Sequence, residues 1–254
     1  MKRILLPGVC VVAALAVWAT PAAADPFAGP PICSSAGTAV SGTYGNLRIT
    51  GNAYVKKGTT LTVRHNLEVA PGSCLDAFTL GTVHVGNNVI VDRGAILALG
   101  CTPGSIGPTP PCNNDTTKDT VDGSILAYNA FTMYLDGDTI HGSVISNGGG
   151  PGPTMDPYVN FPIKDNVIDG ALDVNGWEGT WFGALRNTVG RNMVITKNIG
   201  VAIGAFGPDS TEIATNTVGG DLICKDNNPA AQLGDSGGTP NTVAGAKVGQ
   251  CAGL

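Results

Sequence analysis

Asn187-Thr-Val-Gly-Arg-Asn-Met-Val-Ile195 decides how this chain is read, because four other segments follow its template. They start at Asp138 (DTIHGSVIS), Asn166 (NVIDGALDV), Asn216 (NTVGGDLIC) and Asn241 (NTVAGAKVG). Asn or Asp comes first, Val or Ile third and usually Gly fifth; the first four copies place Val, Leu or Met seventh. The starts are 28, 21, 29 and 25 residues apart. Self-similarity at this period is the mark of a repeat architecture.

A second template, V-x-x-G-x-x-L, lies upstream at Val55–Leu61, Val69–Leu75 and Val91–Leu97. Each copy reads as a short strand, a turn on Gly58, Gly72 or Gly94, and another short strand. The turn glycine meets a positive φ or a close backbone approach that a Cβ would block. Glu occurs only at 68, 178 and 212, and Gly interrupts every apolar run, so helices of ordinary length have nowhere to form.

Short strands bounded by turns, repeating at one coil's length, predict an all-β, single-domain parallel β-helix of coils of about 20–25 residues. At about 4.8 Å per coil, roughly nine coils make a rod of about 45 Å. Aligning the copies predicts stacked columns: Ile140, Ile168, Val189, Val218 and Val243; Val144, Leu172, Met193 and Leu222; Asn198 and Asn227. Lys197 and Asp226 are placed to pair across neighbouring coils. The last copy has Lys247 where its predecessors are aliphatic, as suits a solvated end. An antiparallel β-sandwich is the rival fold, but it does not explain turn chemistry repeated at one coil's spacing.

Residues 1–24 have a secretory signal peptide's layout: Lys2 and Arg3, an apolar run from Ile4 to Ala19, then Ala22-Ala23-Ala24. Removing them takes the formal charge from −5 to −7, because Lys2 and Arg3 leave with the leader. An acidic surface argues against nucleic acid as a partner, and no later segment has the length and apolarity of a membrane span. Residues 25–44 are expected to form an N-terminal extension or cap and 45–254 the β-helix, with loops at 101–120, 147–164 and 228–240. Six cysteines remain after the leader, an even count that reads as disulfides in an exported chain. Six allow 15 pairings; spacing favours Cys33–Cys74, Cys101–Cys112 and Cys224–Cys251. A zinc site is disfavoured, since no C-x-x-C occurs and the three histidines lie apart.

The mature chain resembles secreted bacterial right-handed parallel β-helix proteins. Its latter part, with NTVGRNMVITKN, NTVGGDLICKDN and the closing GAKVGQC, resembles a group of uncharacterised exported actinobacterial proteins. The resemblance implies the solenoid fold and a place outside the cell or in its envelope. It leaves function open, since such helices host lyases, hydrolases, adhesins and inert spacers.

The richest chemistry lies in Asp173-Val-Asn-Gly-Trp-Glu-Gly-Thr-Trp-Phe182. Exposed faces of Trp177, Trp181 and Phe182 would suit the apolar faces of sugars, with Glu178 as acid or base beside them. The competing reading packs the three rings as a hydrophobic cluster. Asp165, Asp169 and Asp173, with Asp136 and Asp138, are candidate Ca2+ ligands, weighed against solvated turn acids. His141 and Asp169 hold one template position in consecutive copies and are expected about one coil apart. Arg186 completes the candidate catalytic set of Glu178, Asp169, Asp173 and His141.

The Asn-Thr-Asp, Asp-Asp and Gly-His-Gly motifs of galacturonan hydrolases on this fold are missing, as are the lyase signature Arg-x-Pro-x-x-Arg, a phosphate loop and HExxH. The expectation is therefore a non-catalytic secreted or cell-envelope structural or adhesive protein, whose partner would be a polysaccharide or cell-surface glycan. The alternative is a polysaccharide lyase or glycoside hydrolase working beside Trp177 and Glu178. Rows of Thr at the template's second position also raise ice or crystal binding, without the T-x-T pairs that a lattice-matching face needs.

Overall fold

The computed structural model describes residues 33, 37–78, 81–102, 116–152, 159–200 and 209–254. The signal peptide, most of the expected cap and Cys112 lie outside these residues.

Within them the chain winds through successive coils. The first coil is β1 (Thr38–Ala39), β2 (Gly42–Tyr44) and β3 (Leu47–Ile49); the second is β4 (Asn52–Tyr54), β5 (Thr60–Val63) and β6 (Leu67–Val69). The third is β7 (Cys74–Asp76), β8 (Thr82–Val85) and β9 (Val89–Val91), and the fourth β10 (Ile96–Gly100), β11 (Thr120–Val121) and β12 (Ile125–Tyr128). Next come β13 (Thr132–Asp136), β14 (Thr139–Ile140) and β15 (Val144–Asn147), then β16 (Asn160–Lys164), β17 (Val167–Ile168) and β18 (Leu172–Asn175). The seventh coil adds a short β19 (Glu178–Gly179) before β20 (Trp181–Leu185), β21 (Thr188–Val189) and β22 (Met193–Thr196). The eighth is β23 (Ile199–Gly200), β24 (Thr211–Ala214), β25 (Thr217–Val218) and β26 (Leu222–Lys225). A ninth closes the rod with β27 (Thr242–Val243) and β28 (Lys247–Gly249).

Strands of one kind stack into three sheets: a first running from β1 to β24, a second from β2 to β27 and a third from β3 to β28. Every strand pairing among them is parallel, which excludes the antiparallel sandwich. The β-helix is therefore the observed fold.

Alternation along each strand sends one side chain inward and the next outward, as in β9, where Val89 and Val91 are buried and Ile90 is half-exposed. The expected columns form. Ile140 pairs with Ile168, Ile168 with Val189, Val189 with Val218 and Val218 with Val243. Val144, Leu172, Met193 and Leu222 make a second file. Lys247 continues it at the C-terminal end, beside Leu222.

The turns between the third and first sheets need a left-handed residue at one fixed place. Asn129, Gly148, Gly176, Lys197 and Asp226 fill it in five consecutive coils, with φ of 53°, 65°, 71°, 55° and 57°. The Lys197 N–H bonds the Lys225 carbonyl in the next coil, but no salt bridge joins the Lys197 and Asp226 side chains, so the expected ion pair does not form. Gly58, Gly72 and Gly94 all have positive φ, as the V-x-x-G-x-x-L template requires. They serve two different corners, however. Gly58 turns the chain from the first sheet to the second, while Gly72 and Gly94 turn it from the third to the first.

Two expected boundaries move. The solenoid begins at Thr38, inside the segment expected to be a cap. The loop expected over 147–164 yields β16, because Phe161 and Ile163 belong to the core. The 228–240 segment has no named strand, as expected of a loop: Asn228 and Gln232 pair with Ile199 and Glu212 and Ala231 enters the core, while Leu233 packs on Trp181, Leu185 and Ala214 on the outer face of the first sheet. Cys33–Cys74 and Cys224–Cys251 are disulfides, with Cα atoms 5.8 and 5.2 Å apart. The expected partner of Cys101, Cys112, lies outside the described residues. Among the described residues, no helix is long and apolar enough to cross a membrane.

Candidate functional surfaces

The template's first residue turns inward where the chain passes from the first sheet to the second. Asn166, Asn187, Asn216 and Asn241 are buried there in one column. Each side-chain oxygen accepts the backbone N–H of its counterpart one coil earlier: Asn166 to Asn187 at 3.1 Å, Asn187 to Asn216 at 2.9 Å, Asn216 to Asn241 at 2.9 Å. Each amide nitrogen donates back to a first-sheet carbonyl, Asn187 to Ile163 at 2.8 Å among them. The column satisfies polar backbone that no water reaches. Asn198, Asn227 and Gln250 form a second column in the same manner.

Toward the N-terminus the first column turns acidic. Asp138 accepts from the Asp119 N–H, and Asp119 accepts from Val83 N–H at 2.7 Å and Gly100 N–H at 2.9 Å. Burial pushes the Asp119 carboxyl up to about 7 and, together with the neighbouring Asp119 charge, drives Asp138 well above the ordinary range. Asp138 Oδ2 has no hydrogen-bond partner. These acids are interior structure, sealed from any substrate.

The candidate catalytic residues are scattered. His141 and Asp169 do meet across adjacent coils, Nδ1 to Oδ2 at 2.8 Å, on an exposed corner between the second and third sheets. The hydrogen bond that His141 donates to Asp169 raises the His141 pKa. Arg186 sits at the opposite corner, clamped to Asp165 of the previous coil by two bonds of 2.7 and 2.8 Å. Both residues are left-handed at the same turn position, so the ion pair stacks one coil on the next. Asp173 faces outward from the third sheet in a file of apolar residues between Ile145 and Val194, where burial raises its pKa. Glu178 lies on β19, paired with Ile199. The proposed Ca2+ ligands diverge likewise: Asp138 points into the interior, Asp165 holds Arg186, Asp169 holds His141 and Asp173 faces elsewhere.

The sugar-stacking platform is corrected outright. Trp177, Trp181 and Phe182 are only 1%, 6% and 1% exposed. Trp177 fills the core edge-on to Phe161, centroids 5.5 Å apart, and its indole N–H bonds the Phe131 carbonyl at 3.1 Å. Phe182 meets Phe161 at the same separation. Trp181 faces outward with its ring over Gly183, packed against Leu233. Rings this large stay apart from water wherever the fold offers cover.

Two features escaped sequence reasoning in their full extent. One is an outward file along the second sheet: Thr43, Thr62, His84, Thr120, Thr139, Val167, Thr188, Thr217 and Thr242 stand in register, one per coil. Four of these threonines belong to the template, but the upstream members come from strands that share no motif with it. The other is a group of three carboxyls, Asp209, Glu212 and Asp235, whose ligand atoms all lie within 4.8 Å of one another. Only the rarity of Glu singled out position 212 in the sequence, and nothing linked it to Asp235 across the intervening coil. No family model, curated protein or solved structure matches this chain.

Proposed function

We propose that this protein is an exported, non-catalytic β-helix, a rigid structural or adhesive element of the cell envelope or its surroundings. We infer that it meets an extended polymer, a cell-surface polysaccharide, along the threonine file of the second sheet. The file carries the reading: seven of nine consecutive coils present a hydroxyl at one strand spacing, on a sheet bordered by a hydrogen-bonded column of buried amides. A periodic row of short donors and acceptors, with little side-chain entropy to lose, suits a ligand that is itself periodic. The signal-peptide layout of residues 1–24 supports export, and disulfides suit an oxidising compartment. The dispersal of Glu178, Asp173, Arg186 and the His141–Asp169 pair over separate places on the rod weighs against the lyase or hydrolase alternative, which needs two carboxyls converging on one bond.

The test is a sedimentation assay against insoluble polysaccharides, with reducing-end release and unsaturated-product absorbance followed in the same tubes. Binding without product formation is expected, abolished in a Thr188→Arg/Thr217→Arg variant whose circular dichroism is unchanged. Product formation, or full binding by the double variant, refutes the proposal.

A further inference from the structure

We propose that Asp209, Glu212 and Asp235 form a calcium site that pins the 228–240 segment onto the first sheet. Asp209 lies two residues before the first residue of β24, Glu212 faces outward from β24, and Asp235 comes from the segment that covers it. Ligand oxygens at about 2.3–2.6 Å from one Ca2+ lie up to about 5 Å apart across the ion, so a mutual separation within 4.8 Å allows all three carboxyls to share it.

The second observation concerns Glu212 itself. Its side chain is 1% exposed, and its Oε2 has no hydrogen-bond partner. The Ser236 and Trp181 side chains and the Asp235 backbone lie near this carboxylate. That bare oxygen belongs to a carboxyl grouped with Asp209 and Asp235. Ser210 Oγ and Thr211 Oγ1, in the same segment, are also buried without partners. None of the salt bridges among the described residues involves these three acids. A buried, unpaired acceptor beside two further carboxyls is costly unless a cation completes it. An all-oxygen, hard donor set selects Ca2+ or Mg2+ over transition metals. Mg2+ demands near-ideal octahedral geometry and keeps several waters, so a set drawn from strand, approach and cover favours the more adaptable Ca2+.

The experiment titrates CaCl2 into the purified, chelator-treated chain by calorimetry and thermal unfolding, with MgCl2 in parallel. One equivalent of Ca2+ should bind with an affinity of about 0.1–1 mM and raise Tm by about 5 °C at saturation. Asp235→Asn removes a ligand from an exposed position without disturbing the core, and should weaken binding at least tenfold while leaving the calcium-free Tm unchanged. Asp209→Asn should do the same. No calcium response in the unmodified chain, an undiminished response in both variants, or an equal response to Mg2+ each overturns the assignment. None of these readouts involves the threonine file, so its failure and this one are separable.

Discussion

A single side-chain atom separates Asp138 from the asparagines that follow it in the column, and that atom sets a pH dependence. In Asn166 and Asn187 the amide nitrogen donates to a first-sheet carbonyl, whereas the matching oxygen of Asp138 has no partner. Both Asp119 and Asp138 titrate above their ordinary range, so the folded chain holds protons that the unfolded chain releases from about pH 4. The stability they contribute is full below about pH 4 and lost as pH rises through the folded value, about 7 for Asp119. Asp138→Asn should therefore stabilise the protein at pH 7 by about 1–3 kcal/mol and flatten the fall in Tm between pH 4 and 7. Asn187→Asp is the mirror experiment. It sets an acceptor against the Ile163 carbonyl and Asn216 Oδ1, and should cost about 3 kcal/mol at pH 7 with partial recovery in acid. On the exposed corner, Asp169→Asn should lower the His141 pKa, read from its ring proton shifts, with little change in stability.

Within an element, the face on which a residue emerges matters more than its type. Trp177 and Trp181 are four residues apart in one hydrophilic-looking stretch, yet one enters the core and the other lies under the 228–240 segment. Trp177→Ala should cost about 3–5 kcal/mol, because it empties a core site packed by Phe161. Trp181→Ala should cost less, since Leu233 can settle into the space, and the two are told apart by chemical denaturation. The columns at Ile140 and Val144 were legible because the template recurs at fixed offsets, and a parallel stack turns offset directly into contact. The fate of the tryptophans was not legible. Nothing in D-V-N-G-W-E-G-T-W-F says that β19 is an added strand, that the chain therefore turns inward at Trp177, or that a segment some fifty residues later covers Trp181. For the same reason the Asp209, Glu212 and Asp235 group was invisible, its members being joined through a covering segment outside any template.

At the scale of the whole molecule, the open ends of three parallel sheets are the hazard. β28 offers an unpaired edge, and Lys247 and the Cys224–Cys251 bridge occupy it where another aliphatic rung would otherwise invite a second rod. Lys247→Leu extends the Val144–Leu222 file to the surface. Concentration-dependent self-association is expected from this variant by light scattering, with the parent chain unchanged over the same range.

The asparagine column has a further implication. Each interior rung presents the same acceptor to the coil before it and the same donor to the coil after it, whatever the intervening loop contains. Such a coupling works like a standard thread: a whole coil can be taken out or put in and the free ends still mate. A coil added or removed leaves the register of the others unchanged. The unequal spacings of 28, 21, 29 and 25 residues show the same tolerance, the joints being constant while the length between them differs.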